Sequence, residues 1–225
     1  MAHYPPQKMG PNPFEVAIDV FKQFFTNKPE KAISAAVSSP VNSWFVLMGV
    51  AAILTGVFSI VLINQLIESL FGLMGLGGYV TADDLGISTA QMFIQTLLIA
   101  VATFFVYAGA VKLVFNIYKI DISFVKVMDL VGAAYIPIIL AIAAAILVMF
   151  VSIPAAFVVL VIGSAADWVF LYKGMQDYAG ERASVLWGFF GMIAAIMILS
   201  VIAVSILTPD MGEFFEDLDM LFWGW

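Results

Sequence analysis

The chain has 225 residues, 63% of them hydrophobic and only 11% charged, with a formal net charge of −7. A soluble domain carries about a quarter charged residues, so there is too little polar side chain here to cover a water-exposed surface, and the acidic balance argues against a nucleic-acid partner. With no cysteine, disulfides, iron–sulfur clusters and thiolate catalysis are excluded.

The first forty residues are too polar for a cleavable signal peptide, so insertion is expected to fall to a membrane span. Asn12, Pro13 and Glu15 have the order of an N-cap, a first-turn proline and an N3 acid. Behind them Phe14, Ala17, Ile18, Phe21, Phe24 and Phe25 share one helical face, with Glu15, Asp19, Lys22 and Gln23 on the other. That pattern predicts an amphipathic helix on the cytoplasmic leaflet, either an anchor packed on the bundle or a partner-docking helix. A second short helix is predicted from Pro29 to before Pro40.

A transmembrane helix needs about 20 mostly apolar residues. Five stretches qualify: Trp44 to Ile67, Gln91 to Tyr118, Val127 to Val151, Pro154 to Tyr172 and Ala183 to Leu207. Ser88 and Gln91 read as a capping box before the second. Between the first two, the glycines of Phe71 to Val80, too short a stretch to span, mark either a segment that dips into the outer leaflet or a flexible turn. In the third span Tyr135 and Pro137 predict a kink. Ser152 and Ile153 alone separate spans three and four, which forces a tight hairpin, and Pro154 suits the first turn of span four. Pro209 stops span five. The expected fold is therefore all-α: a five-helix transmembrane bundle (44–207) between an N-terminal region with interfacial helices (1–43) and an acidic, aromatic tail (208–225).

All nine basic residues fall on one side of these spans: Lys8, Lys22, Lys28, Lys31, Lys112, Lys119, Lys126, Lys173 and Arg182. The other side holds Glu68, Asp83, Asp84 and the acids of the tail. By the positive-inside rule the N-terminus is cytoplasmic and the C-terminus extracytoplasmic. In the tail, Met211, Phe214, Phe215, Leu218, Leu221, Phe222 and Trp225 recur at helical spacing, with Asp210, Glu213, Glu216 and Asp217 on the opposite face. An extracytoplasmic amphipathic helix is expected there, with Phe222, Trp223 and Trp225 at headgroup level. It serves either as an interfacial anchor or, through Glu213, Phe214, Phe215, Glu216, Asp217, Trp223 and Trp225, as a docking surface for a basic partner or cationic peptide.

Three charges lie inside the predicted spans. Asp167 sits about 8 Å within the Tyr172 boundary, Lys112 is similarly deep in span two, and Asp129 opens span three. An unpaired charge at the bilayer centre costs roughly 3 kcal/mol, less near the interface. Pairing of Lys112 with Asp167 or Asp129 is therefore expected. Such a cluster is either a tie that fixes helix register, with Lys112 snorkelling, or a polar site for a proton, ion or ligand. It forms no continuous path, because the outer halves of these spans carry almost no ionisable group.

Chemistry-bearing patterns are missing. The single histidine, His3, cannot build a triad or a histidine-rich metal site. No phosphate-binding glycine loop is present. "GSAAD" lacks the Gly-x-Gly-Asp of intramembrane aspartyl proteases, and "YAGERAS" lacks the paired glutamates of CAAX-type membrane proteases. The expectation is a non-enzymatic protein without cofactor or metal.

Three stretches resemble the Yip domain family of five-span membrane proteins (Ypt/Rab-interacting-protein-like), in its bacterial branch. "FVKVMDLVGAAYIPIILAIAAAI", Phe124 to Ile146, resembles the family's middle signature: a polar lead-in, small residues, an aromatic, a proline and a long apolar run. "LYKGMQDYAGERASVLWGFFG", Leu171 to Gly191, is similar to its cytoplasmic turn between the last two spans. "NKPEKAISAAVSSPVNSWFVLMG", Asn27 to Gly49, is similar to its bacterial pre-span segment. The Asp-Leu-Tyr-Gly-Pro motif of eukaryotic members is absent, so binding of prenylated small GTPases is not carried over.

The resemblance implies a non-enzymatic adaptor in a prokaryotic plasma membrane. Its expected role is that of an accessory subunit of a transport complex such as an ABC-type exporter, in defence against toxic peptides. The alternative is a small channel or transporter built on Lys112, Asp129 and Asp167.

Overall fold

The computed structural model describes residues 12–26, 30–73, 75, 80–180 and 185–207, and the side chains of all of these except 30, 83 and 199–207. His3, Arg182, most of the glycine-rich loop and the whole tail after Leu207, with Glu213, Phe214, Phe215, Glu216, Asp217, Trp223 and Trp225, lie outside the described residues. Eight α-helices make up the described chain: α1 Pro13–Phe24, α2 Glu30–Ser38, α3 Trp44–Leu73, α4 Thr89–Ile117, α5 Phe124–Ala134, α6 Ile136–Met149, α7 Ile153–Ala179 and α8 Leu186–Leu207. No strand occurs among the described residues. Four segments are long and apolar enough to cross a membrane: α3, α4, the α5–α6 pair and α7.

The start of α1 follows from its first residues. Asn12 Oδ1 accepts from the Glu15 N–H at 2.9 Å, and Glu15 Oε2 accepts from the Asn12 N–H at 3.2 Å. This reciprocal cap satisfies two orphan helix donors. The apolar face divides in two. Val16, Ala17 and Val20 are buried, whereas Phe14, Ile18 and Phe25 are 61%, 52% and 63% exposed. Ala17 thus does not share a surface with Phe14. The small residues pack inward on α2 and α3, which leaves the large ones outside. At the end of α1 the Phe24 ring lies 5.1 Å from that of Phe170 on α7.

The long helices overrun their sequence-based limits. α3 continues past Ile67 to Leu73, because one exposed acid, Glu68, sits on a helical surface without interrupting the apolar run. α7 continues seven residues past Tyr172 and ends at Gly180 with φ +63°. Those extra residues, about two turns, are held by protein rather than by lipid. Gly174 and Met175 are buried, and a Cβ on Gly174 would come within 2.9 Å of Ile33 on α2. At the start of α4 only half of the expected capping box forms: Ser88 Oγ accepts from the Gln91 N–H at 3.3 Å. At its far end Lys119 adopts φ +56°, which lets its N–H reach Asn116 O and the Ile120 N–H reach Phe115 O.

The centre of the bundle is α5, buried continuously from Val127 to Ala134. It can be central because small residues let neighbours approach. A Cβ on Gly132 would meet Trp44 Cα of α3 at 3.1 Å. The helix breaks at Tyr135, and α6 starts at Ile136 with Pro137 in its first turn. A proline there removes one backbone donor and so releases a carbonyl of the preceding turn. α6 and α7 then form a hairpin, with Ser152 as the N-cap of α7. Their contact is so close that a Cβ on Gly163 would overlap Ala141 Cβ.

Residues up to Val185 form one compact unit, and Leu186 onward a second. Within the second, α8 is a 22-residue helix, apolar over its described side chains.

Candidate functional site

The three charges singled out in the sequence do not meet. Asp129 lies on α5 and is completely buried. Its Oδ1 accepts from the backbone N–H groups of Ser43 at 2.9 Å and Trp44 at 3.2 Å. These are the first donors of α3, which have no partner inside their own helix. A carboxylate on one helix therefore caps another, where the helix dipole also favours negative charge. Lys126, one turn earlier on α5, stands 3.5 Å from Asp129 Oδ2 and donates a short hydrogen bond to Ser39 O. Asp129 Oδ2 and Ser43 Oγ are buried without a hydrogen-bond partner among the described residues.

Lys112 takes a different course. Its Nζ donates to the Ile122 carbonyl at 2.7 Å, in the turn that follows α4. A lysine stem of four methylenes reaches past the helix end and satisfies a carbonyl there, so no carboxylate is needed. The expected pairing of Lys112 with Asp167 or Asp129 is thus corrected: the lysine bonds backbone, and Asp129 bonds Lys126 and two backbone amides.

Asp167 stays apart. It is 6% exposed, and its Oδ1 has no hydrogen-bond partner among the described residues. Around it stand aromatic groups from two other segments. The carboxyl acts electrostatically on the phenols of Tyr107 on α4 and Tyr135 at the α5–α6 break. The Tyr107 ring is 5.9 Å from Tyr135 and 5.1 Å from Trp168, the residue next to Asp167. Tyr135 in turn lies 5.5 Å from Phe104, which stacks on Trp44 at 6.0 Å. The predicted kink residues therefore do structural work: Tyr135 joins this run of rings, and Pro137 is buried in the first turn of α6.

Lys126, Ser43, Trp44, Tyr107 and Trp168 were not foreseen as parts of a site. The i, i+3 spacing of Lys126 and Asp129 was a usable signal. The contact of Asp129 with Ser43 across 86 positions was not, because nothing local announces it.

Outside the long helices, Asp84 accepts from the Thr81 hydroxyl at 2.6 Å and from the Thr81 N–H at 2.9 Å. The hydroxyl first, and the amide second, hold its carboxyl below the usual carboxylate range. Among the described residues no three His, Asp or Glu side chains gather as a metal site would require.

Four membrane-length apolar helices, with buried polar groups tied to backbone, mark the chain as an all-helical membrane protein. No protein-family model, curated protein or solved structure matches the chain.

Proposed function

We propose that the chain is a five-span integral membrane adaptor of Yip-like type, non-enzymatic, with its N-terminus in the cytoplasm of a prokaryote. It acts as an accessory subunit of a transport complex such as an ABC-type exporter, in defence against toxic peptides. α8 supplies the fifth span: 22 helical residues reach about 33 Å, enough for the hydrocarbon core. The one-sided distribution of the nine basic residues supports the orientation.

One observation carries the functional reading. Lys112 and Asp129, two of the three residues a small transporter would need, are engaged by the protein's own backbone. They hold the bundle together and leave no line of ionisable groups through it. In-cell crosslinking followed by native purification and mass spectrometry tests the adaptor. A stoichiometric membrane partner is expected, and a monomer without partners argues against it. Asp167, with its unpartnered oxygen, favours the transporter alternative. Ion or substrate flux in proteoliposomes, abolished by Asp167→Asn, would establish that reading instead.

A further inference from the structure

A cavity of about 460 Å³ opens between α2, α5 and α7. Its volume lies in the usual range for ligand pockets, about 300–1,000 Å³. Ile33 and Leu130 give it an apolar wall, while Ser34, Ser38, Lys126 and Asp177 bring polar groups to it. Its depth in the bilayer follows from α7. The 27 residues of that helix span about 40 Å, some 10 Å more than the hydrocarbon core. Asp177 lies in the surplus, five residues beyond Tyr172, and Lys126 lies in the first turn of α5. The cavity is therefore at the level of the lipid headgroups, on the lysine-rich side.

The polar groups are arranged by charge. Lys126 is the one cation lining the cavity among the described residues. Its Nζ uses one N–H on Ser39 O and makes a long contact with Asp129, so a further N–H remains for an anion. Asp177 is exposed and supplies a carboxylate. Ser34 Oγ donates to Lys31 O at 3.0 Å and Ser38 Oγ to Ala35 O at 3.4 Å. With their protons so directed, both hydroxyls offer lone pairs outward and accept. Lys126 is already shared with Asp129, so a purely anionic ligand would face the Asp177 carboxylate without compensation. A ligand with a phosphate and a proton-donating ammonium meets Lys126, Asp177 and both serines. We propose that this cavity binds the headgroup of a phosphatidylethanolamine-type lipid, its phosphate toward Lys126 and its ammonium toward Asp177, Ser34 and Ser38. Quaternary choline cannot donate to these acceptors, and an anionic glycerol headgroup lacks the cation.

The test uses the full chain in nanodiscs of equal ethanolamine, choline and glycerol phospholipid, with retained lipid read by native mass spectrometry. Ethanolamine lipid should be retained about tenfold over either competitor, the factor for one charge-assisted hydrogen bond. Asp177→Asn should shrink the preference for ethanolamine over choline lipid several-fold, and Ser34→Ala should reduce it less. Lys126 is left unaltered, because its loss would also release Asp129. Equal retention by the wild type, a preference for the anionic lipid, or an unchanged preference in Asp177→Asn would overturn the proposal. Displacement of the lipid by soluble glycerophosphoethanolamine would make the occupant a free zwitterion and overturn it as well. The inference rests on the bilayer placement of the chain, so flotation with liposomes is measured first; a wild type that does not float refutes both.

Discussion

Asp129 on α5 is the N-terminal cap of α3: its Oδ1 accepts from the Ser43 N–H at 2.9 Å across 86 positions of sequence. Helix caps usually come from the residue at the helix start, and here a different helix, α5, supplies one instead. Asp129→Ala should cost about 1–3 kcal/mol, since two buried amides lose their acceptor. Asp129→Asn keeps an acceptor for the amides and loses the ion pair with partly exposed Lys126, so it should cost less than the alanine variant. Thermal unfolding in mild detergent should rank wild type, Asn and Ala in that order. Equal loss in the two variants would show that the charge, and not the cap, matters.

Lys112 and Asp167 have separate surroundings, so their effects should add. Lys112→Met and Asp167→Leu, combined, should change stability by the sum of the single changes within about 0.5 kcal/mol. Asp167→Leu alone should be neutral or stabilising, because an apolar side chain of similar size replaces a buried oxygen without a partner. A strong loss of stability in that variant would reveal a partner for the carboxyl.

The hairpin of α6 and α7 depends on the missing side chain at Gly163. Gly163→Ala places a methyl in overlap with Ala141 Cβ and should destabilise the protein by about 1–3 kcal/mol. Adding Ala141→Gly should recover most of that loss. Failure of the double variant to recover would mean that the helices meet elsewhere.

Lys119 holds a left-handed conformation at φ +56°. Glycine adopts this at no steric cost, so Lys119→Gly should raise stability by about 1 kcal/mol. An unchanged or lowered melting temperature would count against the described turn.

Asp84 gives a pH signature away from the bilayer. Its carboxyl is held below its ordinary value of 3.8 by Thr81, so the stabilisation it brings is fully present above 3.8. It is lost as pH falls through the lower pKa of the folded state. Hydrogen exchange at the Thr81 amide should therefore show protection, relative to Asp84→Asn, that disappears on acidification. Protection that persists in the Asn variant at neutral pH would remove the carboxylate as its cause.

Much of the architecture is legible from local pattern. The Asn12–Glu15 cap, the break at Tyr135 and the hairpin at Ser152 follow from residue types and spacing. What the pattern misses is non-local. The end of α7 is held by Ile33 and Leu130, which face Gly174, and no hydropathy window contains that contact. The charges fail for a related reason. Pairing arguments look for an opposite side chain, whereas Lys112 and Asp129 found backbone carbonyls and amides, which the sequence carries at every position.

The five rings from Trp44 through Phe104, Tyr135 and Tyr107 to Trp168 join α3, α4, the α5–α6 junction and α7 in one aromatic seam. Each ring pair contributes about 0.5–1.5 kcal/mol beyond its buried area. Alternating access requires one half of a bundle to rock against the other. In this chain such a motion would have to part the Tyr107 and Trp168 rings and slide Phe104 over Trp44. The seam works as a lock against rocking, which suits a rigid scaffold that others grip better than a machine that must itself open and close.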